Sequence, residues 1–278
     1  MTCLDLGLMQ GPLIIFGGPY SNLQATLAMK NQAEATGVSP TNIICTGDAV
    51  AYCAQPDETV EFLRSWGVHV LMGNCEESLG WNSRDCGCGF EEGTACDALA
   101  SQWFQYADSV ISNQHREWMR SLPRRIRFAF QGRQFVVVHG GTEKINEFVF
   151  ASSNNTQKLA AINSENVDGV VAGHSGLPFT QIIDNRLWHN AGVIGMPAND
   201  GTPRTWYSRW NIKGEHIQIE HCALHYDYNQ AHDDMLKAGL NNGYAEGLLK
   251  GLWPSMDVLP AAETAQQGRP LAETTVVF

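Results

Sequence analysis

Residues 42–48 read Asn-Ile-Ile-Cys-Thr-Gly-Asp, a short apolar run that ends on a glycine and a carboxylate. The same cadence appears at 13–18, Leu-Ile-Ile-Phe-Gly-Gly, and at 68–74, Val-His-Val-Leu-Met-Gly-Asn. Each run has the length of a buried strand and ends where glycine lets the chain turn sharply. Between them lie segments with helical spacing: residues 22–36, closed by Gly37, and residues 57–66, with an acidic first turn. Strand, helix, strand, helix, strand calls for parallel pairing, because parallel neighbours need a long crossover. The reading is therefore an α/β fold. In such sheets the loops leaving the carboxyl ends of the strands gather ligands into one crevice. Here those loops hold Gly17–Asn22, Gly47–Asp48 and Gly73–Glu76.

Outward from this core, residues 80–96 (GWNSRDCGCGFEEGTAC) are rich in glycine and cysteine and show no usable period, which reads as an inserted loop. Two helices are expected around Ala98–Ser109 and Gln114–Ser121. The chain then turns to strands: 125–132 and 133–141 form a hairpin through Gly132, and further strands fall at 168–176, 180–184, 186–192, 204–212 and 215–224. Short helices follow around His232–Lys237 and Ala245–Leu249. The expected architecture is a two-layer β-sandwich flanked by helices, one domain over residues 1–253. The polar stretch 254–278 reads as a loosely held C-terminal extension.

Composition narrows the function. Of 278 residues, 44% are hydrophobic and 17% charged, which fits a packed domain rather than a disordered chain. The formal charge of −11 repels phosphate backbones and anionic membrane surfaces, so it argues against nucleic acid and membrane partners. No apolar run reaches the ~20 residues of a membrane span. The first residues lack a basic segment ahead of their short apolar run, and the expected location is the cytoplasm. In that compartment the eight cysteines read as free thiols or metal ligands rather than disulfides.

Four polar residues sit beside glycine at strand tips: Asp48, Asn74, His139 and His174. Carboxylate, amide and imidazole together suit a divalent ion such as Mn, Fe or Zn. Any one alone reads as a turn residue, but four in the same topological place read as a ligand set.

The ordered series Gly47-Asp48, Gly73-Asn74, His139-Gly140-Gly141 and Gly173-His174 resembles the calcineurin-like metallophosphoesterases, from about Leu13 to about Leu249. Supporting matches are SNLQAT at 21–26, NAGVIGMP at 190–197 and DGTPRTWY at 200–207. The resemblance implies a β-sandwich with two metals at one edge, bridged by Asp48. One metal would take Asp48, Asn74, His139 and His174, all present. The other half departs from the family. The Asp-x-His of the first motif is Gly18 and Tyr20 here, the histidine after Asn74 is Cys75, and the second histidine of the last motif is Gly176. With the first site lost, thiols offer a replacement: Cys75 with Cys86 or Cys88, and Glu76 beside them. A structural Cys-Gly-Cys turn, or a separate zinc site with Cys96, is the competing reading.

The resemblance thus implies a phosphoesterase with one or two divalent ions per chain, acting on a phosphodiester or small phosphomonoester through a metal-bound hydroxide. Asp48, Cys75, Glu76 and Tyr20 are the candidate catalytic residues. The alternative is a non-catalytic metal- or phosphate-binding protein on the same scaffold. An open sheet edge is compatible with a homodimer. Arg124, Arg125 and Arg127 read as a solvated strand face, and His221 and His225 as packing or surface residues.

Overall fold

The computed structural model describes residues 2–89 and 93–278. Its strands, in chain order, are β1 (Cys3–Leu8), β2 (Leu13–Phe16), β3 (Ile43–Cys45), β4 (His69–Val70), β5 (Arg125–Phe130), β6 (Arg133–Val137), β7 (Gly169–Ala172), β8 (Phe179–Ile183), β9 (Arg186–Asn190), β10 (Thr205–Lys213), β11 (His216–Leu224) and β12 (Thr274–Val277). They form two six-stranded sheets, ordered β1-β5-β6-β7-β9-β8 and β12-β11-β10-β2-β3-β4. The parallel run β2-β3-β4 follows from the strand–helix alternation, with crossovers through the helices Leu23–Ala35 and Pro56–Trp66. A second parallel run, β6-β7-β9, lies in the other sheet.

Alternation along the strands builds the layers. On β2, Leu13 and Ile15 enter the core between the sheets, while Ile14 and Phe16 face the helices. On β5, Ile126, Phe128 and Phe130 point inward, and Arg125 and Arg127 lie on the outer face, where both pair with Glu165. Between the sheets Trp210 meets Phe128 and Phe135, at centroid distances of 6.1 and 5.1 Å. Truncating one such ring costs ~3–5 kcal/mol. The outer face of the β6-β7-β9 run packs Val136, Val170 and Trp188 against Ile162 of the helix Asn155–Ser164.

The hairpin through Gly132 is present, with Gln131 and Gly132 both at positive φ (49° and 73°), as a two-residue turn requires. Three elements differ from the sequence reading. β1 pairs in parallel with β5, although its largely exposed residues carry no clear alternation. The helix Asn155–Ser164 buries only Lys158 and Ile162, too little for a periodic signal. The expected loose tail is held: β12 pairs antiparallel with β11, and Phe278 enters the inter-sheet core. Its β-branched Thr-Thr-Val-Val is the local cause. Of the inserted segment, residues 81–89 form no helix or strand, a helix begins at Ala95, and 90–92 lie outside the described residues. No helix among the described residues is long and apolar enough to cross a membrane.

Candidate metal centre

Asp48 follows β3 and Asn74 follows β4, both in one sheet; His139 follows β6 and His174 follows β7, both in the other. The site therefore straddles the sandwich edge, where the strands of both sheets end. The loops approach closely there: a Cβ on Gly73 would overlap the Asp48 carboxylate, so only glycine fits. Asp48 and His174 both adopt left-handed backbone, at φ 56° and 57°, a conformation that carries strain and clusters at functional sites.

Hydrogen bonds fix which atoms face the centre. His139 Nδ1 donates to the Thr46 carbonyl at 2.7 Å, which turns Nε2 toward the centre. That Nε2 lies 3.1 Å from Asp48 Oδ2, 3.1 Å from Asn74 Oδ1 and 3.2 Å from His174 Nδ1. The Asn74 amide is oriented because its Nδ2 donates to the Cys86 carbonyl at 3.0 Å, and Asp48 Oδ1 accepts from the Cys75 N–H at 3.2 Å. Carboxylate oxygen, amide oxygen and two ring nitrogens thus converge on one point. His174 Nε2 is buried without a hydrogen-bond partner.

Ligand atoms of Asp48, His139 and His174 all lie within 4.8 Å of one another. Donors ~2.0–2.1 Å from a common ion sit at about 3.3 Å spacing in a tetrahedral site, so the set fits a divalent cation. The charges agree. Burial opposes ionisation of Asp48, yet His139 holds its carboxyl below the usual range; burial likewise opposes charge on His139, yet Asp48 raises it. Burial and the adjacent His139 push His174 down to about 3, keeping it a neutral donor.

The other half of the site is filled by protein. A Cβ on Gly18 would lie 2.5 Å from Tyr20 Cζ, so the tyrosine ring takes the volume of a side chain at 18. At Gly176, a Cβ would lie 3.3 Å from Trp253 Cζ2. Glu76 is spoken for: Oε2 accepts from the N–H of Asp48 and of Gly73, each at 2.8 Å, and Oε1 from that of Val50 at 3.3 Å. Burial and Asp48 push its acid up to about 7, against the pull of those amides. The Cys75 thiol is raised by burial, then by Asp48 and Glu76, so it faces the carboxylates protonated. Cys86 and Cys88 lie with their sulfurs in contact, and Cys88 Sγ is 3.4 Å from Asn74 Nδ2. Cys96 is a free, buried thiol.

The calcineurin-like phosphoesterase superfamily domain matches residues 22–210, the span that holds all four converging side chains. The chain belongs to this superfamily. An uncharacterized protein of Methanocaldococcus jannaschii is 26% identical over 262 residues, covering 88% of this chain and 100% of its own length. Two solved structures share the fold. A metallophosphoesterase from Sphaerobacter thermophilus has a TM-score of 0.64 at 21% identity, over 88% of this chain and 100% of its own. A hypothetical protein from Pyrococcus horikoshii has a TM-score of 0.73 at 14% identity, over 86% and 98%. The two-layer sandwich is thus the fold of this superfamily.

Within that frame several residues around the site escaped the sequence reading. The Thr46 carbonyl sets the His139 tautomer, a backbone role with no sequence signal. Phe148 lies 4.3 Å from the His174 ring, and Tyr52, Tyr244 and Trp253 line the cleft above it. Aromatics flanking an apolar stretch read as packing, and only the fold brings these four to one place.

Proposed function

We propose that the protein is a metal-dependent phosphoesterase that works with a single divalent ion on a phosphodiester or small phosphomonoester. The observation that carries this is the convergence of Asp48 Oδ2, Asn74 Oδ1 and His174 Nδ1 on His139 Nε2, at 3.1–3.2 Å. An ion held there would stabilise charge on a phosphoryl oxygen and lower the pKa of a water. Mn, Fe or Zn suits a donor set of oxygen and imidazole nitrogen. Asp48, Asn74, His139 and His174 hold the ion. Thr46 and the Cys86 carbonyl keep His139 and Asn74 turned toward it.

Tyr20 serves as a hydrogen-bond donor to the phosphoryl group. Burial first, then the Asp48 charge, holds its phenol protonated, and the residue lines the cleft beside Asp48. A second, thiolate-bound ion is not part of this reading. The thiol of Cys75, raised by burial and the nearby carboxylates, and the three amides that occupy Glu76 argue against it.

A second reading, an ion- and phosphate-binding protein without turnover, is favoured by the Tyr20 ring over Gly18, since it removes the two-metal clamp on attacking and leaving oxygens. Elemental analysis of the purified chain, followed by assays with p-nitrophenyl phosphate and bis-p-nitrophenyl phosphate, separates the two. One ion per chain with metal-dependent turnover supports the enzyme. One ion with phosphate binding but no turnover supports the binding protein. No ion after reconstitution with Mn, Fe or Zn overturns both.

A further inference from the structure

We propose that the cleft above Asp48 and His174 receives the ester group of the substrate and selects one that is aromatic and uncharged, so that the protein prefers esters with one phosphoryl group and no further anion. This rests on the phosphoesterase reading above and names its substrate class.

The cleft is narrow and meets solvent at its mouth. Asp48 and His174 form part of its lining, so a phosphoryl group at the ion leaves its ester group in the cleft. The surrounding surface is aromatic. Tyr52 sits edge-on to Tyr20 at 4.7 Å and against Tyr244 at 4.2 Å, one contiguous cluster. Phe148 packs on the His174 ring, and Trp253 covers Gly176. Trp253 is locked in place, its Nε1 donating to the Pro197 carbonyl at 2.7 Å and its backbone N–H to Asn199 Oδ1 at 2.9 Å. Rings already held in position lose little freedom when a flat ligand stacks on them, which favours an aromatic group over a flexible one.

Charge supplies the second half of the argument. Among the described residues lining the cleft none is lysine or arginine. The phosphoryl charge is met at the ion. A second anionic group further out would leave water without a cationic partner, and the chain's −11 charge adds repulsion. The inserted segment and the tail shape this selectivity together, through Cys88 and Cys96 on one side and Trp253, Ser255 and Val258 on the other.

The test is calorimetric titration of the full-length, metal-loaded protein with phenylphosphonate, 4-carboxyphenylphosphonate and methylphosphonate, none of which is hydrolysed. Phenylphosphonate is expected to bind about tenfold or more tighter than methylphosphonate, and the added carboxylate to remove most of that gain. Trp253→Leu and Tyr244→Leu, each checked for folding by circular dichroism, are expected to cut the phenyl-to-methyl ratio at least about threefold while methylphosphonate binding holds. Equal or tighter binding of the carboxylated probe overturns the proposal, as does an unchanged ratio in both folded variants. If neither methylphosphonate nor inorganic phosphate binds, the phosphoesterase reading falls and this proposal with it.

Discussion

Two buried histidine pairs lie in this protein, each with its ring centroids 5.1 Å apart. In the core between the sheets, His189 and His221 are bridged by hydroxyls. Thr180 Oγ1 lies 2.8 Å from His189 Nδ1 and from His221 Nε2, and Ser208 Oγ lies 2.8 Å from His189 Nε2. A hydroxyl both donates and accepts, so one consistent chain satisfies three of the four ring nitrogens with both rings neutral. At the sandwich edge, His139 and His174 face a carboxylate and an oriented amide oxygen, which only accept. Burial and proximity are common to both pairs. The difference is in the neighbours: hydroxyls tie the core pair together, whereas at the edge carboxylate, amide and two rings converge on a point that a cation fits.

The largest effect expected from this contrast is at the edge. His139→Ala or Asp48→Asn should lower bound metal and turnover together by at least about 100-fold, beyond the ~10–100-fold typical of outer-shell partners. Elemental analysis beside the nitrophenyl assays reads both, and full metal with full turnover in both variants would break the assignment. His189→Phe should do the reverse. It removes one partner from each of the Thr180 and Ser208 hydroxyls and costs ~1–3 kcal/mol in urea unfolding, with metal content unchanged. A loss of metal there would make the two pairs one system.

A smaller effect is in pH. Burial pushes His221 down to about 4, and burial with the neighbouring His221 pushes His189 well down. Their folded pKa values lie below the unfolded value of ~6.5, so as pH falls from 6.5 toward 4 the unfolded chain takes up protons that the folded chain refuses. Stability should therefore drop across that window, and urea unfolding at pH 7.5 and 5 should show a smaller drop for His221→Gln than for wild type. An equal drop would mean His221 contributes nothing to it. The smallest effect is at Cys75→Ser. Metal stoichiometry should hold and affinity should change by less than about tenfold, because a neutral thiol beside Asp48 is replaced by a hydroxyl that donates as well. Lost stoichiometry would put that sulfur in the coordination sphere after all.

The sequence carries the edge site more openly than the core pair. Asp48, Asn74, His139 and His174 each end an apolar run beside a glycine, and strand order alone brings such tips together. His189 and His221 sit within strands, where alternation marks them as buried but cannot say that Thr180 lies between them. The other half of the site was legible as a set of departures and not as a replacement. Gly18 announces a missing ligand, whereas the backbone turn that lays Tyr20 over it leaves no spacing to read. The cysteines are legible only as a cluster: Cys-Gly-Cys permits a thiolate pair or a ring-closing bond, and spacing alone does not choose between them.

The tyrosine over Gly18 also bears on how the site can change by descent. An aspartate introduced at 18 would collide with the Tyr20 ring, and a histidine at 20 would arrive with no carboxylate beside it. Neither single substitution restores a ligand pair, and the first is penalised at once by overlap. The two positions form an epistatic pair in which the tyrosine must yield before the aspartate can enter. With the tyrosine in place, position 18 stays closed to a carboxylate, which fixes the order in which the two positions can change.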